Sequence, residues 1–273
     1  MDKKELPYLI VLALPVVIVA LAFFLLPMAK LAIIAGSGED GLAAYTSVLT
    51  TPRYLESVIA TTLLAGVTTI VTLAIATIAG LFLERNRFPG RDMLVSLLTF
   101  PLAFPGVVVG FMVIMLAGRQ GLIGQITKAL TGDKLVFAYS IAGLFVGYVY
   151  FSIPRVILTI MAAAEKLDIA LEEAARSLGA SPWQVVRDVI LPALTPALIA
   201  SGAIAFATAM GAFGTAFTLA TNIDVLPMTI YTEFTLRANI ATAAALSIVL
   251  GIITWLVLNI ARSLAGSTVA AAG

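Results

Sequence analysis

Long uncharged runs broken by isolated charges dominate the chain. Leu6 to Ala29 carries no charge before Lys30, Ser57 to Leu83 none before Glu84, and Met93 to Gly118 none before Arg119. Leu135 to Pro154 runs to a lone Arg155, beyond which apolar residues continue to Ala164. Val189 to Ile223 is uncharged and unusually long, and Ala238 to Ala261 is closed by Arg262. A helix needs about 20 apolar residues to cross the hydrocarbon core. The pattern therefore predicts an all-α, polytopic membrane protein of about six spans, near 8–30, 57–83, 93–118, 135–163, 191–220 and 238–261. No linker divides them, so one membrane domain over 1–273 is expected. The first run is longer than the roughly 7–15 apolar residues of a signal-peptide core. The tail 267–273 reads as frayed.

Composition strengthens this picture. The chain is 61% hydrophobic and 11% charged, against roughly 45–50% and about 25% in soluble domains. Such a chain cannot cover itself with polar surface in water. Its net charge of +1 excludes bulk attraction to nucleic acid. With neither Cys nor His, it has no disulfide framework, no zinc site built on those residues and no imidazole base.

Basic residues in short loops set orientation. Lys3 and Lys4, then Arg85, Arg87 and Arg91, then Lys166, Arg176 and Arg187, and finally Arg262 fall on one side of the predicted spans. That side is assigned to the cytoplasm, with both termini inside. Lys30, Arg53, Arg119, Lys128, Lys134 and Arg237 are spread over longer loops on the other side.

The link between the fourth and fifth spans, 165–192, is the most informative stretch. Asp168 can cap a helix that has Glu172 and Glu173 early in it. Ile169, Leu171, Ala174, Ala175 and Leu178 give that helix an apolar side, and Gly179 can end it in the left-handed conformation. Ser181 can then cap a second helix with Pro182 at its first position, where the missing N–H costs nothing. Trp183 and Val186 are its apolar anchors, and Pro192 marks the return to the membrane. An amphipathic helix lying on lipid would carry a Lys/Arg-rich polar face. This one is mixed, which favours a docking knob for a cytoplasmic partner.

Glu173-Ala174-Ala175, three residues, Gly179, nine residues and Val189-Ile190-Leu191-Pro192 resemble the EAA signature of permease subunits of binding-protein-dependent ABC importers. Val189 stands where the usual pattern has Ile. The resemblance implies a type I importer fold in the inner membrane, with the 165–192 loop as the coupling element seated in a cytoplasmic ATP-binding subunit dimer. By this likeness Glu173, Ala174, Ala175, Gly179, Ser181, Trp183, Leu191 and Pro192 would dock the ATPase. It also implies a second permease subunit, the same or related, and an extracytoplasmic solute-binding protein. The chain has no G-x-x-x-x-G-K-[ST] phosphate loop. ATP and magnesium would therefore sit on the partner, and this chain would be no enzyme and hold no cofactor or metal of its own.

Further residues qualify for a solute pathway. A charge inside a span costs about 2.5–3.5 kcal/mol on insertion scales, which singles out Arg155; the alternative is snorkelling to the interface. Tyr148, Tyr150 and Ser152 precede it at alternate positions. Thr208 and Thr215 lie among the small residues Ser201, Gly202, Gly211 and Gly214 of the fifth span, which also suit close helix packing. A helix break is expected at Gly214-Thr215. In the link before the last span, which also holds Asn222 and Arg237, Asp224 and Glu233 could draw in a cation, be solvated loop charges or dock the binding protein. Pro101, Pro105 and Gly106 predict a kink in the third span. The loop and Gly211-Ala-Phe-Gly-Thr215 look like the branch serving polyamines, phosphonates, oxyanions and ferric iron, within which a polyamine or aminophosphonate is expected. An ATP-independent secondary transporter or channel is the alternative; such folds often show inverted repeats and intramembrane charges, and here only Arg155 qualifies.

Overall fold

A computed structural model describes residues 6–38, 41–219 and 223–265, with side chains from residue 11 onward. Lys3, Lys4, Asn222 and the tail 267–273 lie outside the described residues. Among those described, the regular structure is all helix: α1 (Leu6–Ala20), α2 (Leu26–Gly36), α3 (Ala43–Thr50), α4 (Pro52–Arg85), α5 (Arg91–Thr99), α6 (Gly106–Ala117), α7 (Leu122–Thr131), α8 (Ile141–Ala164), α9 (Ile169–Ser177), α10 (Pro182–Val185), α11 (Leu191–Met210), α12 (Phe213–Leu219), α13 (Leu226–Tyr231) and α14 (Ile240–Ala265). Six helical stretches are long and apolar enough to cross a bilayer: Val11–Gly36, Pro52–Arg85, Gly106–Thr131, Ile141–Ala164, Pro182–Met210 and Ile240–Ala265. None of the described residues buries the most apolar window of the first. Lipid is the solvent that such a surface requires.

Single π-helical turns join α1 to α2 and α10 to α11, and both have one cause. Leu26 N–H bonds to the carbonyl of Leu21, and Leu191 N–H to that of Val186, each five residues back. Pro27 and Pro192 follow directly. A proline ring collides with the carbonyl four residues earlier and offers no N–H. One wider turn shifts the ladder and lets the helix continue. Pro192 therefore does not interrupt the helix. The second helix of the 165–192 link runs unbroken from Pro182 to Met210.

By internal contacts the chain forms two compact units, Met1–Glu56 with Thr229–Ile252, and Ser57–Met228 with Ile253–Gly273. The boundaries fall inside α4, α13 and α14, where no change of composition marks them.

In the larger unit, Ala76, Leu83, Val156, Ile157, Ile160 and Ala205 form a buried core from α4, α8 and α11. Glycines set its tightest approaches. A Cβ on Gly80 would lie 3.0 Å from Ile160, and one on Gly202 3.0 Å from Leu73. In membranes, where lipid is as apolar as leucine, such close packing replaces the hydrophobic drive between helices.

The third span differs from expectation in kind. Pro101 and Pro105 do more than bend one helix. After α5 come a 3-10 turn, Phe100–Ala103, and extended backbone at Phe104 and Pro105 before α6 begins. The freed backbone finds side-chain partners: the Thr215 hydroxyl donates to the Gly106 carbonyl at 3.0 Å. The fifth span also breaks, at Gly211-Ala212 between α11 and α12, three residues before the expected Gly214-Thr215. The buried Tyr148 hydroxyl donates to the Ala212 carbonyl at 3.0 Å, satisfying an acceptor that the break exposes.

Candidate docking loop and polar clusters

The 165–181 segment folds as its local chemistry dictates. Asp168 accepts the Ala170 N–H at 2.9 Å and starts α9. Gly179, at φ +86°, ends the turn after it in the left-handed region. Ser181 and Gln184 form a reciprocal capping box that starts α10, with Pro182 in the first turn. All three devices were legible in the sequence.

What α9 buries is unexpected. Its one buried side chain is a carboxylate, Glu172, 4% exposed. Arg85, in the last turn of α4, holds it through both guanidinium Nη atoms, and Arg176 stands 3.8 Å away on α9 itself. A buried carboxylate needs such pairing. The apolar side chains of this loop face out: Ile169 and Leu171 are exposed, Leu178 is 90% exposed, and Trp183 on α10 is 67% exposed. Ala175 is the exception, packing against Val185, Ile190 and Leu194.

Of the residues singled out for docking, Glu173, Ala174, Gly179, Ser181, Trp183 and Pro192 are exposed and Leu191 is half-buried. The first five of these share the short 173–183 stretch. Leu191 and Pro192 lie farther along the continuous helix. Sequence reasoning missed Glu172 and Arg85. The one available signal was a basic residue at the end of one span and a second acid beside Glu173.

Within the larger unit the pathway residues divide among several contacts. The Arg155 guanidinium donates to the Thr208 hydroxyl at 3.0 Å, joining α8 to α11. Tyr148 and Ser152 are buried on one face of α8, whereas Tyr150 is exposed and touches the Met112 sulfur at 3.8 Å. Alternate positions in a helix diverge by about 200°, and only i and i+4 share a face. Thr215 is taken up by the α6–α12 contact.

In the smaller unit Glu233 is 1% exposed. Arg237 donates to it at 3.0 Å, and Arg53 lies 4.0 Å away. It is not a bare acid facing solvent. In the larger unit a cavity of about 580 Å³ is lined by Gln120, Gln125, Lys128, Ala129 and Lys134, none of them singled out for the pathway.

Comparison with known proteins gives a consistent answer. Residues 75–267 match the family described as binding-protein-dependent transport system inner membrane component. The chain is 34% identical to a chloroplastic sulfate permease 2 of Chlamydomonas reinhardtii over 72% of its own length and 54% of the relative's. It is 32% identical to the molybdenum transport system permease protein ModB of Escherichia coli over 74% of its length and 89% of the relative's. Sulfate transport permease CysT of Salmonella typhimurium is 35% identical, over 73% and 70%. Among solved structures, a chain of a bacterial alginate ABC transporter, crystallised with its pentasaccharide-bound periplasmic protein, superposes with a TM-score of 0.82. That match has 18% identity and covers 97% of this chain and 95% of the other. A chain of the inward-facing MetNI methionine ABC transporter gives 0.59, at 19% identity over 78% and 94%. At those identities the structures speak to the fold.

Proposed function

The chain belongs to the binding-protein-dependent transport system inner membrane components, and from that membership we propose that it is one permease subunit of an ATP-driven importer of a tetrahedral oxyanion, with the 165–192 loop docking onto a cytoplasmic ATP-binding subunit. The observation that carries the docking reading is the inversion of α9: a carboxylate is buried and the apolar side chains face out. Exposed Leu178 and Trp183, flanked by Glu173, make the kind of helix surface that fills a groove. ATP and magnesium belong to that partner. A second permease subunit completes the pore, and an extracytoplasmic binding protein supplies the solute. The loop side is cytoplasmic, as the basic residues indicate, which places both termini there.

The oxyanion reading draws on relatives named for sulfate and molybdenum transport. The electrostatics agree. Glu233, the acid weighed as a cation attractor, is enclosed by two arginines.

The test is affinity purification of the tagged chain from its native membrane in mild detergent, with mass spectrometry of what accompanies it. An ATP-binding subunit is expected with the wild type and absent with Gly179→Arg. Trp183→Ala removes an exposed side chain, so the fold should keep its thermal midpoint. Recovery of the ATP-binding subunit should fall by about 30-fold, the effect of losing a hot spot of roughly 2 kcal/mol. Purification of the chain alone at several detergent strengths would sink the ATP-driven reading in favour of a self-sufficient transporter. Normal recovery with Trp183→Ala would show that the groove lies elsewhere.

A further inference from the structure

Between α6 and α8 the chain makes a closed excursion, at the end of α8 opposite the docking loop. A glycine turn sends it back on α6: Gly121 N–H bonds to the Gly118 carbonyl at 2.9 Å, and a Cβ on Gly121 would lie 2.7 Å from the Leu116 carbonyl. So α7 does not prolong α6, although the two together have the length of a span. The excursion ends where it began. Phe137 and Ala138 N–H both bond to the Ala117 carbonyl at 3.1 Å, and Ser140 then caps α8. Leu135 N–H bonds to the Thr127 hydroxyl at 3.0 Å, closing the return segment onto α7. The 24 residues of α8 extend about 36 Å at 1.5 Å per residue, a little more than the roughly 30 Å hydrocarbon core. Tied to the start of α8, α7 stands at a membrane–water boundary.

This helix has three different sides. Gly124 is buried against the return segment. Leu122, Ile126 and Leu130, four positions apart, form an apolar stripe that is exposed throughout, Leu130 at 79%. Lys128, two positions beyond Ile126, points nearly the opposite way. With Gln120, Gln125, Ala129 and Lys134 it lines the open cavity of about 580 Å³. That lining offers ammonium and amide donors and no carboxylate. Among the described residues, Arg119, Lys128 and Lys134 enter no ion pair. Lys134 Nζ donates to the Arg119 carbonyl at 3.4 Å, and the Arg119 guanidinium lies 6.0 Å over the Tyr139 ring. Asp133 is the one acid of the segment. The cavity is therefore positive, and the stripe beside it is bare.

We propose that α7 lies in the membrane interface and that its lysine cavity holds the phosphate of an anionic phospholipid such as phosphatidylglycerol, with the acyl chains against Leu122, Ile126 and Leu130. Interfacial helices divide in this way, with an apolar face at the acyl boundary and Lys or Arg on the polar face. Lysine ammonium and glutamine amide groups recognise the oxygens of a lipid phosphate and of a free oxyanion alike. The stripe decides between them. A free oxyanion would use the cavity and leave three large apolar side chains in water, whereas a phospholipid uses both. Small Ala129 separates cavity from stripe and leaves room for the lipid to pass from one to the other. A lipid held there would steady the segment that joins α6 to α8.

The chain has no cysteine, so Leu130→Cys gives a single position for a bimane fluorophore. The full-length labelled chain is reconstituted in phosphatidylcholine vesicles, and nitroxide-labelled phosphatidylglycerol or phosphatidylcholine is added at equal mole fraction. Both should quench the label, since it sits among acyl chains, but phosphatidylglycerol should reach half its full effect at a lower mole fraction. Each lysine should contribute about fivefold to that preference, so Lys128→Gln combined with Lys134→Gln should bring the two lipids together. Lys128→Arg combined with Lys134→Arg keeps the charge and should keep the preference. Its loss with arginine too would show that charge is not what the cavity supplies, and would overturn the site. Equal quenching by the two lipids with both lysines present would overturn it, as would a phosphatidylglycerol preference that persists in the double glutamine variant. Quenching by aqueous iodide and by neither lipid would place α7 in water, open to a soluble partner, and sink the interfacial placement. If sodium sulfate abolishes the preference where sodium chloride of matched ionic strength does not, the cavity takes free oxyanions and the lipid assignment falls.

Discussion

Reversing the charge at position 85 (Arg85→Glu) should disconnect the docking loop from α4 and cut transport sharply while leaving the helices in place. Glu172 is 4% exposed, and Arg85 meets both of its oxygens. Removing one partner of a buried pair costs about 3–5 kcal/mol, because the remaining charge is stranded. The lower end applies here, since Arg176 lies 3.8 Å away and can move in. The expected signature is faster backbone hydrogen exchange across 168–180, with exchange in α8 and α11 unchanged. The exchanged pair, Arg85→Glu with Glu172→Arg, should recover part of the loss. Recovery should be incomplete, because an arginine at 172 would stand one turn from Arg176, and like charges at that spacing repel. If Arg85→Glu transports normally and leaves exchange in the loop unaltered, α4 does not position the loop. The clamp also gives Glu172 and Glu173 separate duties. The first ties α9 to its own subunit, and the second stays exposed for a partner.

Gly110→Val should be the most damaging substitution in the membrane core. A Cβ at Gly110 would lie 1.6 Å from the Thr218 hydroxyl oxygen, 2.7 Å from the Thr218 Cβ and 3.3 Å from the Thr215 carbonyl. Rotating the Thr218 hydroxyl away does not move its Cβ, so α6 and α12 must separate. Overpacking costs about 1–3 kcal/mol in ordinary cores. Here separation also strains the nearby bond from the Thr215 hydroxyl to the Gly106 carbonyl. Gly110→Ala should already lower the thermal midpoint in detergent, and valine should lower it further. Gly66→Ala is the matched control. A Cβ there meets nothing within 4 Å on α4, and alanine favours a helix over glycine by roughly 0.5–1 kcal/mol. Equal midpoints for Gly110→Ala and Gly66→Ala would show that the α6–α12 contact is not tight.

Features set by a residue and its immediate neighbours were legible in the sequence. Asp168, Ser181 with Pro182, and Gly179 act on backbone groups within a few positions, so their roles can be read locally. The apolar runs likewise mark the spans, because crossing a bilayer is a demand on contiguous length. Less was legible where a run hid a break. Pro101 and Pro105 signalled a bend, and Pro105 itself favours the extended backbone at Phe104, but the Thr215 hydroxyl that meets the Gly106 carbonyl comes from 109 residues away. In the fifth span the break settled three residues from the expected glycine, where Tyr148 reaches the freed Ala212 carbonyl.

The sequence by itself determined the class of the protein, the number of its crossing segments and the caps and turn of the docking loop, since hydrophobic length and short-range hydrogen bonding depend only on nearby residues. The tertiary structure decided which charges are spent inside the chain and which remain for partners. Glu172 and Glu173 are adjacent and chemically alike, yet one is buried against Arg85, 87 residues away in sequence, and the other is exposed. Glu233 reads as a loop acid until Arg53 and Arg237 are seen to enclose it. Coulombic pairing falls with distance in space and not along the chain, so the fold had to bring the partners together before their roles could be assigned.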